Sequence, residues 1–382
     1  MIRPISILHL HSTFDLGGKE ARAVRLMNAF GDRASHTVVS GMAGRHSARD
    51  RIDPHVKYEI AQDPPPLQGR PSVARYEAIA RYMRRFDLVL TYNWGAIDGV
   101  MARRVFGRGV PPVVHHEDGF NEDEADGLKR ERNLYRRLAL SAAHALAVPS
   151  TTLERIALET WKQPRSKVHR IVNGIATELY TRRPEAKAIP GFLRKPKETV
   201  IGTVAGLRAV KDLPALVRAA GGLSSRFRLV IVGEGPERTA IEHAALAMGI
   251  EDRLVLPGFL DQPYRFIGHF DLLALSSLSE QFPISVVEAM AAGLPIVAPP
   301  VGDVPGMVAA ENAPFIIDRH DEVGLRDAMQ ALIADPDLRR SVGEANRRKA
   351  QAEYDEGRMI ARYAALYEAA IGRPGALSSD QS

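Results

Sequence analysis

The chain of 382 residues is longer than one hydrophobic core usually supports, so two domains are expected. Its 45% apolar and 25% charged residues are those of an ordinary globular protein, and the absence of cysteine excludes disulfides and thiolate metal sites. A net charge of +5 suits anionic substrates or an anionic membrane surface, while the interleaved aromatic and basic residues of a nucleic-acid platform are missing, so no nucleic-acid partner is expected.

The first twelve residues hold one early arginine and a short apolar run interrupted by His9 and His11, a poor signal peptide but a good first strand. No apolar run of about 18 residues occurs, so no transmembrane helix is expected; the absence of cysteine is compatible with a reducing cytosol, and a cytoplasmic location is the expectation. Gly17-Gly18 separates this strand from a helix with Ala21, Val24, Met27 and Phe30 on one face. The glycine pair reads either as a plain turn or as a place where backbone approaches a ligand at the positive end of the helix. The phosphate-loop pattern GxxxxGK[ST] is not matched.

Strands are expected at 37–40, 87–92, 111–115, 145–149 and 168–172, and helices at 73–85, 97–106, 128–146 and 152–160. Residues 51–67 read as a loop region with one short strand. Such alternation builds a parallel sheet covered on both faces. The strand at 111–115 runs into His115-His116-Glu117-Asp118-Gly119-Phe120, a cluster at the strand end where α/β sheets hold ligands. Residues 121–126 read as a solvated acidic loop. The next helix crowds Lys129, Arg130, Arg132, Arg136 and Arg137 beside Leu128, Leu134, Tyr135, Leu138 and Ala142. It is either the solvated face of a surface helix or a basic amphipathic face that lies on an anionic membrane.

Asn173-Gly174 is a turn, and 176–198, rich in proline and basic residues, reads as a linker. A second α/β series follows. A strand at 199–204 ends in Gly206-Leu207-Arg208-Ala209-Val210-Lys211, and one at 228–232 ends in Gly233-Glu234-Gly235-Pro236. Strands at 254–256, 296–298 and 315–317, helices at 213–220, 238–248 and 264–269, and closing helices at 321–334, 336–353 and 357–371 complete it, with a disordered tail at 373–382.

Residues 271–295, DLLALSSLSEQFPISVVEAMAAGLP, form a buried strand, a polar loop and a helix with Pro283 at its first position. The amides of Ile284, Ser285 and Val286 then point out of the helix toward an anion, worth roughly 0.3–2 kcal/mol. Glu288, one turn on, suits vicinal hydroxyls such as those of a ribose. Glu280 suits a sugar or positive charge developing on it. Arg208 and Lys211 are the candidate cations for the anion.

Glu280-x7-Glu288 with the run EAMAAGLPIVA resembles the signature of the retaining glycosyltransferases of family GT4. Gly17-Gly18, Asn173-Gly174-Ile175, Arg208/Lys211 and Gly233–Pro236 follow the expected order. The resemblance covers nearly the whole chain and implies an α/β GT-B fold, two Rossmann-like parallel-sheet domains facing across a cleft. It implies an acceptor-side domain at 1–180, a donor domain at 181–355, a helix at 356–372 packing back on the first domain, and the tail at 373–382. It implies transfer from a UDP- or GDP-linked sugar to a saccharide or lipid-linked acceptor, with no cofactor and no essential metal, in surface polysaccharide synthesis at the inner face of the membrane.

Carried over residue by residue, Glu288 binds the ribose and Glu280 the sugar. Arg208 and Lys211 neutralise the diphosphate, Gly17-Gly18 close on it, and Gly233, Phe282, Pro283, Ile284 and Ser285 complete the donor site. Catalytic roles fall to Lys211, Glu280 and the N-terminal loop. There the family often has histidine before glycine, whereas Asp118 precedes Gly119, leaving His115, His116 or Asp118 for the role. Pro283 stands where glycine is common and Gly206 where the arginine often lies. A GT-B nucleotide-sugar epimerase and a catalytically idle nucleotide-sugar-binding subunit are the alternatives.

Overall fold

The structure is a computed structural model, and it describes residues 3–120, 124 and 127–378. The chain divides into two compact units, Met1–Asn173 with Arg358–Ser382, and Gly174–Gly357. The boundary expected after residue 180 thus falls at Asn173/Gly174.

In the first unit the order is β1 (Ile5–His11), α1 (Gly18–Phe30), β2 (Ala34–Ser40), β3 (Lys57–Ile60), α2 (Val73–Met83), β4 (Leu88–Tyr92), α3 (Ile97–Phe106), β5 (Val113–His116), α4 (Arg130–Leu140), β6 (Ala145–Val148), α5 (Thr151–Glu159) and β7 (Val168–Arg170). The seven strands are all parallel, in the order β3-β2-β1-β4-β5-β6-β7. Central strands such as β4, LVLTY, are buried on both faces, which explains their unbroken apolar runs.

The second unit holds β8 (Thr199–Val204), α6 (Leu213–Gly221), β9 (Phe227–Val232), α7 (Arg238–Met248), β10 (Leu254–Gly258), β11 (Leu272–Ala274), α8 (Ile284–Ala291), β12 (Ile296–Val297), α9 (Val304–Met307), α10 (Glu322–Ala334) and α11 (Pro336–Glu353). Its five strands are parallel, ordered β10-β9-β8-β11-β12. Residues 315–317 make only an isolated bridge, Ala298 to Ile316, instead of the expected strand, because a 3-10 turn over Ala310–Phe315 leaves one paired residue. The last helix, α12 (Glu356–Ile371), belongs mostly to the first unit. Met359, Tyr363 and Tyr367, spaced four apart on one face, share a core with Ile5, Leu26, Phe30 and Leu90.

Two expectations are corrected. The presumed linker 176–198 is a folded part of the second unit: Tyr180 and Ile189 are buried, and Glu185 accepts a paired hydrogen bond from Arg265 at 2.7 and 2.6 Å. The tail is pinned as far as Ser378, because the Glu368 carboxylate accepts from the amides of Gly375, Leu377 and Ser378, and Leu377 is 1% exposed. Its last four residues lie outside the described ones.

Candidate functional site

In the second unit, the loops after β8, β9 and β11 meet at the C-terminal end of the sheet, where open α/β sheets hold ligands. The first two loops are stacked backbone on backbone. Leu207 N donates to Glu234 O at 2.8 Å, and a Cβ added to Gly233 (φ 147°) would come within 1.9 Å of Ala205 O. Only glycine fits there, so Gly233 shapes the loop floor.

Lys211 closes a 3-10 turn, Ala209–Lys211, and its Nζ donates to Glu280 Oε1 at 2.5 Å. The same oxygen accepts from Ser277 Oγ at 2.8 Å, while Ser276 Oγ donates to Lys211 O at 3.0 Å. Leu278 N donates to Val210 O at 2.9 Å, joining the two loops. Both side chains of the ion pair are about nine-tenths buried, 13% and 10% exposed, so their charges act with little water between them. Arg208 is exposed and takes no carboxylate partner among the described residues. Lys211 and Glu280 are therefore brought together and Arg208 is not held to them.

Pro283 sits one place earlier than expected. It is the cap residue, with ψ 114°, and α8 begins at Ile284. Val286 N donates to Pro283 O at 3.1 Å, so Ile284 and Ser285 supply the outward amides, one fewer than expected. Both residues are half-buried, whereas Phe282 is buried with its ring edge-on to Tyr354, centroids 5.6 Å apart. Glu288 Oε1 accepts from the Tyr180 hydroxyl at 3.0 Å. Gly302 (φ 56°) would clash with Glu280 O if it carried a Cβ, at 2.3 Å, so the Glu280 backbone is braced by the loop after β12.

In the first unit, Gly17 caps α1 with extended backbone, and its added Cβ would lie 3.0 Å from Glu20 Oε2. Gly18 faces open space and starts the helix. Lys19 and Glu20 form an ion pair, and burial, only partly offset by Lys19, raises the Glu20 carboxyl above its ordinary value.

His116 ends β5 and is 1% exposed. Its Nδ1 is 3.2 Å from Thr91 O and its Nε2 is 2.7 Å from the Tyr367 hydroxyl. The carbonyl requires Nδ1–H, and in the neutral ring Nε2 then accepts a hydrogen bond from the tyrosine hydroxyl. Burial, followed by the Arg22 charge, lowers its pKa well below the ordinary value. This geometry gives His116 a core role, a correction to its expected catalytic one. His115 is also fully buried, with Nδ1 2.7 Å from Thr91 Oγ1. Of the three candidates in the loop, Asp118 keeps some exposure, 15% of its side chain. Arg22 holds its carboxylate with both guanidinium nitrogens, Nη2 to Oδ2 at 2.8 Å.

The basic helix is corrected too. Arg136 is 1% exposed, donates to Glu124 at 3.1 and 3.0 Å, and lies over Trp94, Phe120 and Trp161. Arg132 donates to the same carboxylate at 3.1 Å. Glu124 is therefore buried rather than solvated, and the rest of the acidic run lies outside the described residues. An outward basic face retains Lys129, Arg130 and Arg137, with Leu134 58% and Leu138 42% exposed.

The family profile for glycosyl transferases group 1 matches residues 185–349, and that for glycosyltransferase family 4 matches residues 16–179. The chain belongs to glycosyltransferase family 4. Relatives of this family include the N-acetyl-alpha-D-glucosaminyl L-malate synthase of Bacillus anthracis, 25% identical over 54% of each chain. The putative glycosyltransferase EpsF of Bacillus subtilis is 30% identical over 50% of this chain and 51% of its own. The chain thus spans about half the length of the curated relatives it matches. Among solved structures, a sucrose-phosphate synthase from Thermosynechococcus elongatus is similar with TM-score 0.77 and 20% identity, over 96% of this chain and 99% of that one. Anabaena HepE in complex with UDP follows with TM-score 0.76 and 17% identity, over 96% and 100%. These likenesses carry the GT-B fold expected of the family.

Sequence reasoning missed Ser277 and Tyr180, which hold Glu280 and Glu288. Ser277 was legible in the polar run Leu275–Glu280, since a small hydroxyl beside a strand end is a ready partner for a carboxylate. Tyr180 lies 108 residues from Glu288 and carries no local signal.

Proposed function

We propose that the protein is a retaining glycosyltransferase that moves a sugar from a nucleoside-diphosphate sugar to a saccharide or lipid-linked saccharide in surface polysaccharide synthesis. The observation that carries the reading is the convergence, at one sheet edge, of the Lys211–Glu280 pair, the amides of Ile284 and Ser285, and Glu288. Lys211 meets the charge that grows on the departing diphosphate, and Arg208 swings in from solvent to add a second cation. The outward amides of α8 take phosphate oxygens. Glu288, which accepts from Tyr180, takes ribose hydroxyls. Glu280 Oε2 is left for the sugar, where it stabilises positive charge at the ring. The diphosphate is thus met by protein cations and amides, and the proposal includes no cofactor or metal.

HepE is described with UDP and with UDP-glucose, which supports a uridine nucleotide as the first donor to try. The expected result of a thermal-shift panel of UDP- and GDP-sugars is a rise in Tm with one base, since a ligand at 100 times its Kd stabilises by about 2.7 kcal/mol. No shift with any nucleotide or nucleotide-sugar at millimolar concentration contradicts the reading.

No helix among the described residues is long and apolar enough to cross a membrane. The proposed peripheral contact at the inner membrane face falls to Lys129, Arg130 and Arg137 with exposed Leu134 and Leu138. Co-sedimentation with anionic vesicles that drops when Arg130 and Arg137 become glutamine is expected. Equal sedimentation of both proteins sinks the contact.

A further inference from the structure

Asn93 follows β4 with φ 55° and ψ −174°, a backbone conformation close to one that glycine alone adopts readily. Such strain persists only where surrounding bonds over-determine it. Here two bonds do so. Asn93 N donates to His116 O at 2.7 Å, and the Asn93 side-chain oxygen accepts from Asp118 N at 2.8 Å. The residue is thereby locked to the end of β5 and to the residue two places further on.

The Asp118 carboxylate is gripped from the other side. Arg22, on the second turn of α1, is 4% exposed and meets it with both terminal nitrogens. Its Nη1 also donates to Asn173 Oδ1 at 3.0 Å, and its guanidinium lies 5.5 Å from the Tyr363 ring centroid. Burial is the largest influence on Arg22 and opposes its charge, but Asp118 together with Tyr363 and Tyr92 prevails and raises the Arg22 pKa above its ordinary value. At the C-terminal edge of the first sheet, α1 therefore grips the Asp118 carboxylate, the loop after β4 holds its backbone amide, and the segment after β7 and α12 hold Arg22. A bidentate arginine consumes one lone pair on each oxygen and leaves another on each for a ligand. A residue needed only for packing would not require a strained asparagine and a buried fork to set its direction.

We propose that Arg22 and Asn93 are positioning residues that aim the Asp118 carboxylate at a saccharide hydroxyl. The inference rests on the glycosyltransferase reading. The two residues act through Asp118: Arg22 sets the plane of its carboxylate and Asn93 sets its backbone.

The test is a double-mutant cycle in the full chain, with transfer kcat, donor KM, Tm and nucleotide-sugar thermal shift read for each protein. Arg22→Met and Asp118→Asn are each expected to lower kcat about 100-fold. The double variant should lose no more than Asp118→Asn alone, because residues acting as one unit are non-additive. Donor KM should stay within about twofold, since the donor groups lie on the second unit. Asn93→Gly relieves the strained backbone and removes the oxygen on the Asp118 amide. It should lower kcat about tenfold while Tm stays level or rises, whereas a merely structural residue would lose both together. Asn93→Asp, which keeps the acceptor oxygen, should restore most of the rate. Losses that multiply in the double variant, or an Arg22→Met protein that is folded and keeps its kcat, overturn the inference and leave the glycosyltransferase reading in place. A wild-type protein that no nucleotide-sugar stabilises overturns both.

Discussion

Replacing Lys211 by alanine is expected to lower kcat/KM for transfer by on the order of 10²–10³, the usual cost of removing one preorganised group from developing negative charge. Lys211 is the cation that the fold itself fixes in the candidate donor site. Its carbonyl is held by Ser276, its loop by Leu278, and its ammonium by Glu280 at 2.5 Å. With 13% of its side chain exposed, its field is weakly screened, and the rigid turn means that little reorganisation accompanies reaction. Arg208, exposed and without a carboxylate partner among the described residues, is expected to cost less when removed, about tenfold, and mainly through donor KM. Lys211→Arg should not rescue fully, because a planar fork does not occupy the place of a point charge. Lys211→Ala leaves the largely buried Glu280 carboxylate with the Ser277 hydrogen bond but no cation, so Tm should fall as well, and kcat/KM is read below the variant's own melting transition. Steady-state kinetics with the donor identified by thermal shift measures this. A Lys211→Ala protein within threefold of wild type contradicts the site.

The largest expected loss of stability is at Arg136. Arg136→Met removes the cation shared by two buried carboxylates: Glu124, bonded at 3.1 and 3.0 Å, and Glu117, 3.4 Å away and fully buried. Breaking a buried pair by deleting one partner costs about 3–5 kcal/mol, because the charge left behind stays unpaired. At about 2–4 °C per kcal/mol, Tm should fall by roughly 6–20 °C. Methionine still fills much of the space among Trp94, Phe120 and Trp161, so the loss reports charge more than volume. Adding Glu117→Gln and Glu124→Gln to Arg136→Met should recover part of it.

The effect also has a pH sign. Burial works against the Glu124 carboxylate, but its bonds to Arg136 and Arg132 prevail and hold its pKa below the ordinary value. A carboxyl lowered in the folded state contributes its stability fully above the ordinary carboxylate pKa and loses it as pH falls through the lowered one. The Tm gap between wild type and Arg136→Met should therefore shrink in acid. A gap of under about 2 °C at pH 7 contradicts the assignment.

Arg136 also shows why part of the molecule was not legible. Five cations within nine residues read as a solvated or membrane-facing surface, and nothing in the pattern marks one of them as core. The buried face of α4 is Arg136, Ala139 and Leu140, so the arginine occupies a core spacing, but its two acidic partners precede it by 19 and 12 residues. The tail misled for a similar reason. A lone leucine among small and polar residues looks disordered until Glu368 gathers the amides around it.

What could be read was local. The strand-and-helix alternation, the glycines that let the β8 and β9 loops stack, and the carboxylates of the 271–295 stretch all follow from short-range chemistry. Lys211 and Glu280, 69 residues apart, were legible as members of one site, though not as an ion pair, because each follows a strand of one sheet and parallel sheets gather such ends. His116 failed because strand-end position was taken for exposure, while α12, 251 residues away, covers it with Tyr367.

The central claim is that the nucleotide-sugar is held by the C-terminal strand ends of the second unit. Hydrogen exchange of the wild-type protein, with and without the donor that raises its Tm, tests it most directly. Slower exchange is predicted in peptides covering 206–211, 233–236 and 280–288, with the amides of Ile284 and Ser285 among those protected. Unchanged exchange across all three segments, with protection elsewhere, would contradict it.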